Sequence, residues 1–234
     1  MKRTVALLLL ATSAFLPCLA DAKEDVKAAA KKLADAPCYT WTSTQEIQGA
    51  QTTPPVVTGK WIKDGYTVVT SERDGNTTTA VLKGSKGVLK TDEGWKTAEA
   101  LRAAATGGGR GPRGAQLLRT RLPAEDAVRV ADRTKELKLD GGVIAGDLTD
   151  EGAKELAAMG RGRSGQPPDV KNAKGSVKYW VKDGQIARMQ LKVSGTVNVN
   201  GEDRDVSRTT TQEIKNVGST SVEVPEEAKK ALGT

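Results

Sequence analysis

The chain has 234 residues, a formal net charge of +7, no histidine and two cysteines. The missing histidine excludes imidazole-based triads, general bases and metal ligands. A single cysteine beyond the N-terminal segment leaves no ligands for a structural zinc site and no pair for an internal disulfide. The basic balance suits anionic partners such as phospholipid headgroups or acidic polysaccharide, and equally plain solubility; nucleic acid is not an expected partner.

Residues 1–22 read as an export signal. Lys2 and Arg3 precede an apolar run from Val5 to Leu16, and Ala20-Asp21-Ala22 offers a cleavage site. The run is too short to span a bilayer. Cys18 follows Phe15-Leu16-Pro17, and Pro17 fits a lipidation box badly. The expectation is therefore a periplasmic or cell-envelope protein, soluble after signal cleavage rather than anchored at Cys18. Residues 23–234 are enough for a single domain with its own core.

Lys23 to Asp35 reads as a helix carrying Val26, Ala29, Ala30 and Leu33 on one stripe, ended by Pro37. From Cys38 the pattern changes to period two, with Tyr39, Trp41 and Ser43 alternating with threonines, which is strand chemistry. Further strands are expected near Val56 to Ile62, Tyr66 to Arg73, Thr77 to Lys83 and Gly87 to Lys90. The segment Lys60-Trp61-Ile62-Lys63-Asp64-Gly65 recurs as Tyr179-Trp180-Val181-Lys182-Asp183-Gly184. Both copies run a Trp-aliphatic pair into Asp-Gly, a dipeptide that favours a tight hairpin turn.

Thr97 to Ala105 reads as a short helix stopped by glycines, and Pro123 opens another whose first turn is acidic. Two short strands, Glu136 to Leu139 and Val143 to Leu148, flank Asp140-Gly141-Gly142. Thr149 then caps a helix ending near Met159. In the last third, Met189, Leu191, Val193, Val197 and Val199 alternate with polar residues, a one-sided strand of unusual length. Gly195 interrupts its apolar side where a sheet could bend. Asn200-Gly201 turns the chain back through Val206 to Ile214. Val222 to Val224 reads as a last strand, and Pro225-Glu226-Glu227 starts a terminal helix.

Few residues offer chemistry. Gly109 to Gly114 and Gly160 to Gly165 match a dinucleotide fingerprint by letter, but neither follows a strand within a βαβ unit. These loops instead offer Arg110, Arg113, Arg161 and Arg163 either to phosphate groups or simply to solvent. Asp203 and Asp205 read as solvated charge on a sheet face, and Cys38 without a histidine is a poor nucleophile. The tryptophans remain. Trp41, Trp61 and Trp180 either line a groove for an acyl chain or fill the core between sheet and helices.

The meander of strands, the helical middle and the second, long-stranded hairpin set resemble the LolA/LppX-like lipoprotein-carrier fold. Trp180 to Met189 (WVKDGQIARM) is similar to the hairpin these proteins place after their lid helices. Val222 to Lys230 (VEVPEEAKK) resembles their closing strand and Pro-Glu-rich tail, and Gly146-Asp147-Leu148-Thr149 before an acidic helix also fits. The resemblance implies an open half-barrel whose concave face, covered by helices, holds acyl chains of a lipid or lipoprotein. The chain departs from the carriers in having no Phe beyond the leader and in its two Arg/Gly loops.

The expected architecture is α+β: a large curved antiparallel sheet of about eleven strands, an open half-barrel, with helices over its concave face. A helical insertion is expected around residues 97–165. The expectation is an exported, monomeric, non-enzymatic protein without cofactor or metal. Its groove residues would be Trp41, Trp61, Trp180, Met189, Leu191 and Val193, with the helix from Ala124 to Arg133 as part of the lid. On this reading, Trp180→Asp weakens ligand binding. The alternative is an envelope interaction protein with a filled core, whose Arg110, Arg113, Arg161 and Arg163 hold a protein or an anionic surface.

Overall fold

The period-two segments pair into one open antiparallel sheet of eleven strands, accompanied by five α-helices among the described residues. The computed structural model describes residues 21–104, 114–158, 169–199 and 202–233. Residues 1–20 of the expected leader, all four loop arginines and the Asn200-Gly201 turn lie outside them, whereas Asp21 and Ala22 already belong to the first helix and its cap.

The first half runs α1 (Ala22–Ala34), β1 (Cys38–Ile47), β2 (Val56–Ile62), β3 (Thr67–Arg73), β4 (Asn76–Lys83), β5 (Lys86–Thr91), β6 (Gly94–Thr97) and α2 (Ala98–Ala104). A 3₁₀ turn (Ala115–Arg119) leads into α3 (Pro123–Ala131), β7 (Lys138–Asp140), β8 (Val143–Asp147) and α4 (Asp150–Ala158). The chain closes with β9 (Val170–Lys182), β10 (Gln185–Val199), β11 (Glu202–Lys215) and α5 (Glu226–Leu232). Across the sheet the order is β6-β5-β4-β3-β2-β1-β11-β10-β9-β8-β7. β1 thus sits mid-sheet between its hairpin partner β2 and β11 from the far end of the chain. The edge strands β6 and β7 have only four and three residues, short enough to limit pairing with another chain.

Local chemistry accounts for the helix ends. Asp21 caps α1 by accepting from the Lys23 N–H at 3.0 Å, Glu24 and Asp25 occupy the positive first turn, and Lys31 and Lys32 the negative last one. The predicted stripe Val26, Ala29, Ala30 and Leu33 is buried against the sheet side. The Thr149 hydroxyl accepts from the Gly152 N–H at 3.0 Å, as its position ahead of α4 predicts. Pro123 stands at the first position of α3.

The repeated Trp-Asp-Gly segment makes two different turns. Asp183 and Gly184 both take positive φ and join β9 to β10 with Lys182 directly opposite Gln185. In the first copy only Asp64 does so; the Lys63 N–H is drawn to Pro37 O at 2.9 Å, and β3 begins at Thr67. Gly195 lies at the expected irregularity. Register shifts between Ser194 and Thr196, and a Cβ at Gly195 would stand 2.7 Å from Val170 Cγ1.

Two expectations need correction. Val222 to Val224 is not a strand; it belongs to a strap that crosses the outer face, and the eleventh strand is Gly94–Thr97 instead. Nor do all helices share one face. α1, α3 and α4 cover the inner face, but Ala228 and Leu232 of α5 bury Val81 and Val88 on the outer one. The reason is local: β4 and β5 are apolar at consecutive positions (Ala80-Val81-Leu82 and Val88-Leu89), so both of their faces need cover.

Candidate ligand-binding site

Cross-strand register defines the inner face. Trp41 is opposite Gly59 on β2 and Ile214 on β11; Tyr39 is opposite Trp61; Met189, Leu191 and Val193 on β10 continue the surface, with Tyr179 and Val177 of β9 opposite the first two. Trp41, Met189, Leu191 and Val193 are buried and Trp61 is half-buried against them. The Tyr39 ring packs between two indoles, 4.8 Å from Trp61 and 6.0 Å from Trp41, centroid to centroid. Five of the six sequence-predicted groove residues therefore share one apolar surface.

Trp180 stands apart from them. It lies opposite Arg188 on the outer face, where the guanidinium carbon sits 4.7 Å from the indole centroid. A straight two-residue hairpin would pair Trp180 with Ala187 and give it the face of Met189. The register shift between Ile186 and Arg188 moves the pairing by one residue, and one residue reverses the face. The sequence carries no obvious signal for that bulge.

The roof over the inner face is made of small side chains. α3 turns Pro123, Ala124, Ala127, Val130 and Ala131 inward, and α1 and α4 add mainly alanines with Val26, Leu33 and Leu156. The C-terminal end of α3 is tied firmly. Arg133 forks onto Glu155 of α4 at 2.7 and 2.8 Å and holds that carboxyl below its ordinary range. Lys27 of α1 reaches Asp132 at 3.3 Å, and Thr149 N–H donates to Arg133 O at 2.7 Å. Mid-helix, the buried Tyr179 hydroxyl donates to Ala127 O at 3.1 Å. The first turn is held more lightly, by Gln212 Nε2 donating to Asp126 Oδ2 at 3.3 Å.

Burial raises the pKa of both Tyr39 and Tyr179; nearby Glu125 adds to the effect on Tyr39, and Asp132 to that on Tyr179. Among the described residues no cluster of His, Cys, Asp and Glu is arranged to hold a metal, and no helix is long and apolar enough to cross a membrane. Cys38, buried at the start of β1, accepts from the Thr220 N–H at 3.2 Å and so pins the outer strap.

No protein-family model matches the chain, and no curated protein matches it in sequence. Among solved structures it is similar to LprF from Mycobacterium bovis, at 11% identity and a TM-score of 0.43, over 88% of this chain and 97% of that one. It is also similar to the LolA superfamily protein NE2245 from Nitrosomonas europaea, at 9% identity and a TM-score of 0.35, over 87% of this chain and 96% of that one. The likeness is one of overall layout, and loose in detail.

Proposed function

We infer that the protein is an exported, non-enzymatic binding protein that holds a lipid or lipoprotein acyl chain between the inner face of its sheet and α3. The observation that carries this reading is the mismatch between floor and roof. The floor offers large apolar side chains (Trp41, Trp61, Met189, Leu191), whereas the inward side of α3 is mostly alanine. Lifting α3 exposes little of its own apolar surface. An acyl chain of roughly a dozen methylenes entering in its place gains about 10 kcal/mol of transfer free energy. That gain exceeds what the few small contacts of α3 supply, so ligand can displace lid. The tied C-terminal end of α3 and its lightly held first turn favour opening from the first turn.

The test is mass spectrometry of an organic extract of protein purified natively from its own envelope, beside a denatured and refolded control. A stoichiometric lipid or acylated peptide present only in the native sample supports carriage and identifies the cargo. A clean extract sinks it, leaves the inner face as a permanently filled core, and moves attention to partners of Arg110, Arg113, Arg161 and Arg163.

A further inference from the structure

The two long neighbouring strands β9 and β10 carry Lys171, Lys174, Lys178, Lys182, Arg188 and Lys192 and no acidic residue. Register places most of this charge on one face. Lys178 lies opposite Gln190, Lys192 opposite Ser176, Lys174 opposite Ser194 and Arg188 opposite Trp180, all on the outer side, away from Met189 and Leu191. Lys192 is thereby the diagonal neighbour of both Lys178 and Lys174, with backbones about 7–8 Å apart. Like charges at that range repel, and an anion lying over them relieves the repulsion. Lys174, Lys178 and Lys192 are exposed; Trp180 and Arg188 are half-buried.

The surrounding carboxylates leave this charge standing. Asp203 pairs with Lys171 at 3.2 Å, and Glu213, opposite Arg188, pairs with Lys215 at 3.3 Å. Asp205 accepts from the Thr196 hydroxyl at 2.8 Å. Asp147 stands opposite Ser176, diagonal to Lys174 and Lys178, and pairs with neither. Among the described residues, Lys174, Lys178, Lys192 and Arg188 make no ion pair, and the buried Arg188 Nε has no hydrogen-bond partner. Nor does a described helix cover this face: α1, α3 and α4 lie on the inner side, and α5 packs on β5 and β6.

We propose that the outer face of β9 and β10 docks the protein on an anionic lipid bilayer, with Lys174, Lys178, Lys192 and Arg188 over headgroup phosphates and the Trp180 ring at headgroup level. The composition of the patch decides the occupant. Between the basic side chains lie Ser176, Gln190 and Ser194, and the one apolar group beside them is Trp180. A protein interface has an apolar centre and is depleted in lysine, whereas an indole ringed by lysine and arginine suits a headgroup layer. Lysine stems also let the ammonium groups reach phosphates at different depths. Beside Lys174, at the Gly195 bulge, a polar hollow of about 540 Å³ lined by Gln48, Ser194, Thr196, Asp205 and Ser207 leaves room for a headgroup. Docking by this face leaves α3, on the other side of the sheet, free to lift. The proposal stands whether or not the inner face carries cargo.

The experiment sediments the full mature chain at low ionic strength with vesicles of equimolar phosphatidylglycerol and phosphatidylcholine, and with vesicles of phosphatidylcholine alone. Wild type is compared with the triple variant Lys174→Gln, Lys178→Gln, Lys192→Gln. A second triple variant, Lys31→Gln, Lys135→Gln, Lys154→Gln, removes the same charge outside the patch. All the substituted lysines are exposed, so both variants should fold, which circular dichroism checks. The proposal expects wild type to bind the anionic vesicles alone and to release them as salt rises. The patch variant should lose on the order of a hundredfold in partition coefficient, the second variant little. Equal losses in the two variants would make net charge the cause and overturn the patch. Equal binding to both vesicle types, or to neither, overturns it as well. A wild type that ignores vesicles but binds polygalacturonate through the same three lysines overturns the bilayer in favour of an acidic polymer.

Discussion

Trp41 lies across Gly59 on the neighbouring strand so closely that a Cβ there would stand 2.0 Å from Trp41 Cζ2 and 2.1 Å from Cη2. The two residues are directly opposite in the β1–β2 register. The absent side chain is the space in which the indole lies, and that position brings Trp41 onto the floor beside Ile214. Gly59→Ala should therefore displace the indole and cost about 1–3 kcal/mol, seen as a lower urea midpoint and an altered tryptophan emission. Combined with Trp41→Leu, it should cost less than the sum of the two single changes, because the clash is then already gone. Full additivity would mean the indole is not what Gly59 accommodates.

The two faces of β10 separate two kinds of substitution. Leu191→Ala opens the floor and should reduce bound acyl chain and lower stability by about 2–5 kcal/mol. Trp180→Ser removes the outer-face stack with Arg188, about 0.5–1 kcal/mol, together with the ring's partial burial beside Val143, and should leave lipid content unchanged. Extracted lipid per mole of protein, measured for both variants, checks this. A depleted Trp180→Ser protein with normal Leu191→Ala would put the ligand on the outer face.

The two buried tyrosines should respond oppositely to loss of their hydroxyls. Tyr179→Phe removes a satisfied bond to Ala127 O and should cost about 1 kcal/mol, with faster amide hydrogen exchange along α3. Tyr39→Phe removes an unsatisfied donor and should be neutral or stabilising. Equal destabilisation by both would show that the Tyr39 hydroxyl has a bonding partner after all.

Alkaline pH should unfold the protein through the same pair. Burial raises both phenol pKa values above the ordinary 10.0. Above pH 10 the unfolded chain releases these protons while the folded protein keeps them, so the unfolded state binds fewer protons and stability falls as pH rises. Their contribution is complete below that point and declines through the folded pKa values. Urea midpoints at about pH 9 and about pH 11 should diverge, and the doubly Phe-substituted protein should diverge less. An identical loss in the double variant would assign the alkaline transition to other groups.

Much of the architecture follows from periodicity, because a side chain's face is a local property of helix or strand. The buried stripe of α1, the inward run Met189-Leu191-Val193-Val197, the Thr149 cap and the kink at Gly195 are all legible in this way. So is the two-faced burial of β4 and β5, once consecutive apolar residues are taken to mean cover on both sides. Turns are less so. The same Lys-Asp-Gly ending gives a two-residue hairpin after Trp180 but a longer loop after Trp61, since Lys63 finds an outside acceptor on Pro37.

What the sequence determined by itself was a long-stranded antiparallel protein with small-residue helices and no histidine chemistry. What only the tertiary structure decided was which residues meet. Pairing β1 with β11 joins segments far apart in the chain, and no local pattern specifies that neighbour. The Ile186–Arg188 bulge sends Trp180 outward while its counterpart Trp61 stays inward, because strand faces alternate and a single extra residue reverses them. The buried, unpartnered Tyr39 hydroxyl and Gln212 Oε1 likewise exist only once β1, β11 and the helices are packed together. Burial and the lack of a bonding partner are properties of that packing, and neither residue type carries them in the sequence.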